Sequence, residues 1–171
     1  MTDTAPIEQI APPTMFGALL TETNGQAVLH TTPSAYLKLV KALADDGFAV
    51  AVDVCGVDYL TYTDRAVPQG VTAERFEVVV NMLDMTKMRR IRVRCQVPES
   101  NPSVASLYSM FPGVEAMERE CFDLMGIAFE NHPDLSRILM PESWVGHPLR
   151  KDYDIGKIPV QFKNDGAKAR S

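Results

Sequence analysis

ERFEVVVNMLDMTKMRRIRVRCQV, residues 74–97, holds two runs rich in β-branched and aromatic residues joined by a short link, Asp84 to Lys87. Runs of that composition read as strands, and so short a link joins neighbouring strands as an antiparallel hairpin. In the second run arginine alternates with Ile91 and Val93. The basic cluster from Lys87 to Arg94 is therefore the wet face of a strand, with the apolar residues turned to a core.

Upstream, FAVAVDVCGVDYL (48–60) has the same composition and reaches the hairpin through TYTDRAVPQGVTA (61–73), a loop marked by Pro68 and Gly70. Before it, SAYLKLVKALADDG (34–47) places Tyr36, Leu37, Val40 and Leu43 on one helical face. That helix starts at Pro33 or Ser34 and stops at Gly47. A further short strand is predicted at Gln26 to His30. Together these give an α+β fold, a mixed or antiparallel sheet of about four strands covered on one face by helices.

After the hairpin, NPSVASLYSMF (101–111) predicts a helix from Ser103, and VEAMERECFDLMG (114–126) predicts a second beyond Pro112 and Gly113. In the second, Val114, Met117, Cys121, Leu124 and Met125 form the apolar stripe and Gly126 is the C-cap. Glu115, Arg119 and Asp123 share another face. Beyond Gly126 neither helical nor strand periodicity persists, and proline recurs at 133, 141, 148 and 159. The chain therefore divides into a flexible lead-in at 1–14, an α+β domain at 15–126 and an extended, irregular C-terminal tail at 127–171. With nothing internal to bury, the tail is expected to take its order from a partner.

The length of 171 residues suits one domain that buries about 70% of its unfolded surface. A formal net charge of −5 argues against a nucleic-acid footprint, which needs clustered Lys and Arg. The longest apolar run falls well short of the roughly 20 residues that a membrane-spanning helix requires. MTDTAPIEQIAPPTMF has no basic segment followed by an apolar one, so it does not read as a secretory signal, and a cytoplasmic protein is expected. Cys55, Cys95 and Cys121 form no C-x-x-C pair and read as buried free thiols rather than ligands of zinc or an iron–sulfur cluster.

Catalytic motifs are missing: there is no G-x-S-x-G, no Walker A loop and no G-x-G-x-x-G. Glu118 and Glu120 do not make an acid/base pair, because helical positions two apart point about 200° away from each other. His132 and His147 stand among Glu130, Asp134 and Glu142, but their spacing matches no metal-ligand motif, and hydrogen-bonded structural histidines are the simpler reading. A small hydrolase built on these histidines is the rival from another class.

One segment is denser in chemical detail than any other. Glu118-Arg119-Glu120, Phe122 to Ile127, Phe129-Glu130, His132-Pro133-Asp134-Leu135, Arg137-Ile138-Leu139 and Gly146 to Tyr153 follow one another in an order that resembles the signature of the 30-kilodalton subunit family of respiratory complex I. In bacteria this family supplies one subunit of NADH:quinone oxidoreductase. Departures from the family pattern are Ala116-Met117 where an aromatic residue is common, Met125 in place of Phe, Asn131 in place of Gly and Ser136 in place of Arg. The segment after Tyr153 is short, unlike that of members with long tails or fused to their neighbour.

The resemblance implies a cofactor-free, non-catalytic subunit of the peripheral arm, attached indirectly to the cytoplasmic face of the cell membrane. It implies packing against the 49-kilodalton quinone-site subunit and other peripheral-arm subunits, with flavin and iron–sulfur clusters held by those partners and no nucleic acid involved. The residues expected to meet the partner are Glu118, Arg119, Glu120, Asp123, His132, Asp134, Arg137, Trp144, His147, Leu149, Arg150, Lys151, Asp152 and Tyr153, with Leu149 and Tyr153 as anchors and Arg150 and Asp152 completing charge pairs. The same signature occurs in related membrane-bound hydrogenases and other quinone-reducing complexes, which is the alternative reading.

Overall fold

A computed structural model describes residues 12–154, so most of the expected lead-in and the tail beyond 154 lie outside the described residues. The hairpin forms as its sequence predicts. Strands β5 (Phe76–Asp84) and β6 (Arg89–Val97) pair antiparallel from Phe76 opposite Val97 to Asp84 opposite Arg89. Asp84 closes the turn, accepting N–H bonds from Thr86 and Lys87 at 3.0 Å each and an Arg89 guanidinium bond at 2.7 Å.

The sheet has six strands rather than about four, in the order β1-β2-β3-β6-β5-β4. The strands beyond the hairpin are β1 (Thr14–Met15), β2 (Ala18–Thr23), β3 (Gln26–Thr31) and β4 (Val50–Asp58). β3 runs parallel to β6 and every other neighbouring pair is antiparallel, so the sheet is mixed. The two added strands are held by two-residue turns at Phe16-Gly17 and Asn24-Gly25, all four residues having positive φ. Asn-Gly is the strongest short-range hairpin signal a sequence carries, since both central residues of such a turn need φ > 0.

Alternation sends Val78, Val80 and Met82 of β5 and Ile91, Val93 and Cys95 of β6 to one side, all of them at most 1% exposed. Helix α1 (Pro33–Asp45) lies on this side and buries Tyr36, Leu39, Val40 and Leu43. Leu37, expected on that face, is 42% exposed; Leu39 takes its place, because the true stripe follows the i, i+3, i+4, i+7 spacing from Tyr36. Helix α2 (Glu115–Met125), entered through a 3-10 turn at Pro112–Val114, packs on β4 at Gly56. A Cβ on Gly56 would stand 2.7 Å from the Met125 sulfur and 3.2 Å from Ile127 Cδ1, so glycine lets helix and strand approach this closely without displacing those side chains.

The helix expected over 103–111 does not form. Ser103–Ala105 is strand β7, paired in parallel with β8 (Ala128–Glu130), and a single helical turn follows, closed by Phe111 N–H to the Leu107 carbonyl at 2.9 Å. Pairing with a segment distant in sequence outweighs the weak local preference of so short a run. The expected boundary at 126/127 is corrected as well. Ile127 is fully buried and Phe129 is 2% exposed, so these two side chains belong to the core of the domain and the chain does not leave it at 126.

On the other side of the sheet, residues between β4 and β5 fold over one end. Arg65 donates to Glu77 at 3.2 Å and to Gln96 at 2.6 Å, Arg94 donates to Glu77 at 2.6 Å, and the Gln96 amide also donates to Glu77. A fully buried carboxylate is thereby paired with two guanidiniums, as burial of a charge demands.

Ile127→Ala is expected to destabilise the isolated chain by about 2–5 kcal/mol, because truncation leaves a cavity where the β7–β8 pair meets the core. Urea denaturation measures it. A change within about 0.5 kcal/mol, the range of surface substitutions, would place Ile127 outside the core.

Candidate functional site

Helix α2 ends at Gly126, which sits in the left-handed region (φ 71°). The last carbonyls of any helix lack intrahelical partners and carry the negative end of its dipole. Here the segment that follows supplies those partners. His147 Nδ1 donates to the Asp123 carbonyl at 2.9 Å, Leu149 N–H to Leu124 at 2.9 Å, and Arg150 Nε to Met125 at 2.6 Å. A Cβ on Gly126 would stand 2.6 Å from both His147 and Arg150, so glycine both turns the chain and makes room for the cap.

The Asp123 carboxylate, fully buried, binds the turn after Arg137. Its Oδ2 accepts the N–H groups of Ile138, Leu139 and Met140 at 3.1, 2.8 and 2.8 Å, and its Oδ1 accepts Arg137 Nη1 at 2.6 Å. Burial alone would raise its pKa, but the Met140 and Leu139 N–H groups and the Arg137 guanidinium override that and hold it at about 2. Arg137 continues outward to the carbonyls of Trp144 and Gly146, at 3.0 Å each. Arg119 binds the Ser136 carbonyl and hydroxyl and the Arg137 carbonyl at 3.0 to 3.1 Å, and pairs with Glu115 at 3.1 Å.

Glu118, fully buried, accepts from Ser106 Oγ at 2.5 Å and Leu107 N–H at 2.7 Å, and burial raises its carboxyl above the usual range despite those bonds. His132 Nδ1 accepts the Asp134 N–H at 3.1 Å, which puts the ring proton on Nε2, 3.2 Å from the Glu115 carbonyl and 3.9 Å from Glu118. Farther along, Arg75 holds Asp58 through two bonds at 3.1 and 3.0 Å and Asp152 at 2.8 Å, while Lys151 N–H reaches Asp58 at 2.9 Å. Tyr153 packs on Gly146, whose missing Cβ would stand 2.9 Å from the ring.

The residues expected to face a partner thus fall into two sets. Glu118, Arg119, Asp123, His132, Arg137, His147, Arg150 and Asp152 are bonded within the chain, so Arg150 and Asp152 complete internal contacts. Glu120, Asp134, Leu149 and Lys151 are exposed, with Trp144 and Tyr153 half-buried. Unforeseen on the outer surface are Ile138, Leu139 and Val145, 40, 61 and 87% exposed, which with Leu149 are large apolar side chains exposed on the segment that follows α2. Their only sequence signal was large apolar residues in a run without periodicity. Asp58, Arg75 and Ser106 gave none. A cavity of about 610 Å³ lies by α1 and the β1–β2 turn and touches no residue of this segment. Among the described residues no three His, Cys, Asp or Glu side chains cluster as metal ligands would.

Asp123→Ala strands one guanidinium and three N–H groups, and should cost the isolated chain about 3–5 kcal/mol in urea denaturation. Because the folded pKa of about 2 lies below the usual 3.8, the Asp123 charge contributes stability above pH 3.8 that is lost as pH falls through 2. The stability difference between wild type and Asp123→Asn should accordingly shrink by about 2 kcal/mol between pH 5 and pH 2. Parallel pH profiles would contradict this role for the carboxylate.

Residues 29–159 match the family model described as the respiratory-chain NADH dehydrogenase 30 Kd subunit. An NADH-quinone oxidoreductase subunit of Roseiflexus castenholzii is 38% identical over 161 residues, covering 92% of this chain and 86% of the relative. The corresponding subunit of Salinispora tropica is 38% identical over 143 residues; the match takes in 82% of this chain but spans only 55% of that relative's length. Among solved structures, a trypsin-resistant fragment of Nqo5 aligns with a TM-score of 0.61 and 30% identity, over 70% of this chain and 90% of the fragment. With its mixed sheet, its two helices and the signature segment buckled onto α2, the chain belongs to the 30-kilodalton subunit family of the respiratory-chain NADH dehydrogenase.

Proposed function

We propose that this chain is a non-catalytic, cofactor-free structural subunit of a proton-translocating NADH:quinone oxidoreductase. Its place is the peripheral arm on the cytoplasmic face of the membrane, against the 49-kilodalton quinone-site subunit, with flavin and iron–sulfur clusters in the neighbouring subunits. Family membership supports the setting. No helix among the described residues is long and apolar enough to cross a membrane, which suits attachment through partners.

The observation that carries the reading is the direction in which the signature residues face. The carboxylates of Glu118 and Asp123 and the guanidiniums of Arg119, Arg137 and Arg150 are satisfied inward by helix ends, turn amides and one another, leaving Ile138, Leu139, Val145 and Leu149 outward on a braced loop. A carboxylate held by four donors, as Asp123 is, fixes geometry and is poorly suited to exchanging protons with a substrate. Exposed apolar side chains on a preorganised support suit docking, because little conformational entropy remains to be lost on binding. Burying each such side chain contributes about 1.5–3 kcal/mol.

Leu139→Asp combined with Val145→Asp should reduce recovery of the assembled complex by about tenfold or more, since two charges would be buried unpaired at the contact. The same variant should leave the melting temperature of the isolated chain within about 2 °C, as surface changes do, and turnover per assembled complex unaltered. Native-gel quantification beside quinone-reductase rates separates these quantities. Normal assembly with lost turnover would move Leu139 and Val145 into the mechanism, and normal assembly with normal turnover would remove them from the interface.

A further inference from the structure

The open side of the sheet carries a second surface, remote from the signature segment. β6 lies within the sheet, and alternation with buried Ile91, Val93 and Cys95 turns Arg90, Arg92 and Arg94 away from the helices. Arg94 pairs with Glu77, a carboxylate it shares with Arg65. Arg92 reaches only the Asn81 carbonyl oxygen, at 3.0 Å, with Asp53 beyond it on the far side of Asn81. The Arg90 and Lys87 side chains make no ion pair among the described residues. In a chain of net charge −5, Lys87 and Arg90 at this end of the sheet carry charges that no ion pair among the described residues neutralises.

Apolar surface adjoins it. A groove of about 540 Å³ runs between the β2–β3 and β5–β6 turns, lined by Gln26, Leu83, Met85, Met88 and Arg90 among others. Met85 is 63% and Met88 84% exposed, and Val50, opposite Leu83 in the sheet, is 40% exposed. The one carboxylate in the groove, Asp84, is already bound to Arg89 and two turn amides. Free cations beside flexible methionines fit an occupant that brings acidic and apolar side chains together.

We propose that this groove docks an acidic, amphipathic segment of a neighbouring subunit, its apolar residues between Met85 and Met88 and its carboxylates on Lys87, Arg90 and Arg92. This rests on the reading that the chain works inside a multisubunit complex, and it adds a contact at a groove that no residue of 127–154 lines. Thiol labelling of a Met85→Cys variant of the full chain, read at position 85 by peptide mapping, tests it in the free chain and in the assembled complex. Assembly should slow labelling there by about tenfold or more, as for a side chain made accessible only by local opening. A photocrosslinker at position 85 should capture a peptide rich in Asp and Glu, and Arg90→Glu with Arg92→Glu should lower complex recovery roughly tenfold by like-charge repulsion. Equal labelling in the free chain and in the complex overturns the proposal, as does capture of a basic peptide or of a second copy of this chain. Failure of the wild-type chain to enter any complex overturns the assembly reading itself, an outcome distinct from normal assembly with an open groove.

Discussion

One buried carboxylate organises the segment that distinguishes this chain. Asp123 stands in the last turn of α2, where the helix already offers unsatisfied carbonyls, and it adds a full negative charge to them. Three consecutive backbone N–H groups and one guanidinium converge on that charge. The donors come from residues 137–140, so the chain leaving the core through β8 must turn back across the helix end. Once it does, Arg137 ties residues 144 and 146, and the following His147, Leu149 and Arg150 reach the remaining helix carbonyls. Removing the carboxylate would leave the three turn N–H groups without an acceptor, while Arg119 would still hold residues 136 and 137.

Local pattern made some of this fold legible and left the rest unreadable. The β5–β6 hairpin and α1 follow from alternation and helical spacing over neighbouring residues. The β2–β3 hairpin carries an equally local signal, the Asn24-Gly25 pair, which the reading of a lone short strand at Gln26 to His30 passed over. At 103–111 the spacing of Val104, Leu107, Tyr108 and Phe111 fits a helix, and what decides otherwise is pairing with residues 128–130. The parallel contact of β3 with β6 is equally remote in sequence. The bonds of Lys151 and Asp152 to Asp58 and Arg75 join positions 93 and 77 apart, and no window of sequence contains both ends.

The signature illustrates the difference between recognising residues and knowing what they do. Glu118, Asp123, His132 and Arg137 identify the family, yet each turns inward: Glu118 onto Ser106 and Leu107, His132 onto a helix carbonyl, Arg137 onto the Asp123 carboxylate. Their chemistry is that of a brace. What the brace presents is a set of exposed aliphatic residues, Ile138, Leu139, Val145 and Leu149, which are available to an interface. The irregular, proline-punctuated segment therefore needs no periodicity of its own, since its order comes from the helix end it caps.

Amide hydrogen exchange of the isolated full chain at residues 138–140 tests this most directly. If Asp123 grips the turn without help from a partner, the N–H groups of Ile138, Leu139 and Met140 should be protected by about a thousandfold or more, opening with a free energy of roughly 4 kcal/mol or above. Exchange of these three amides at the rate of an unstructured peptide, while the β5 and β6 amides stay protected, would contradict it and would mean that the segment takes its shape only from its partner.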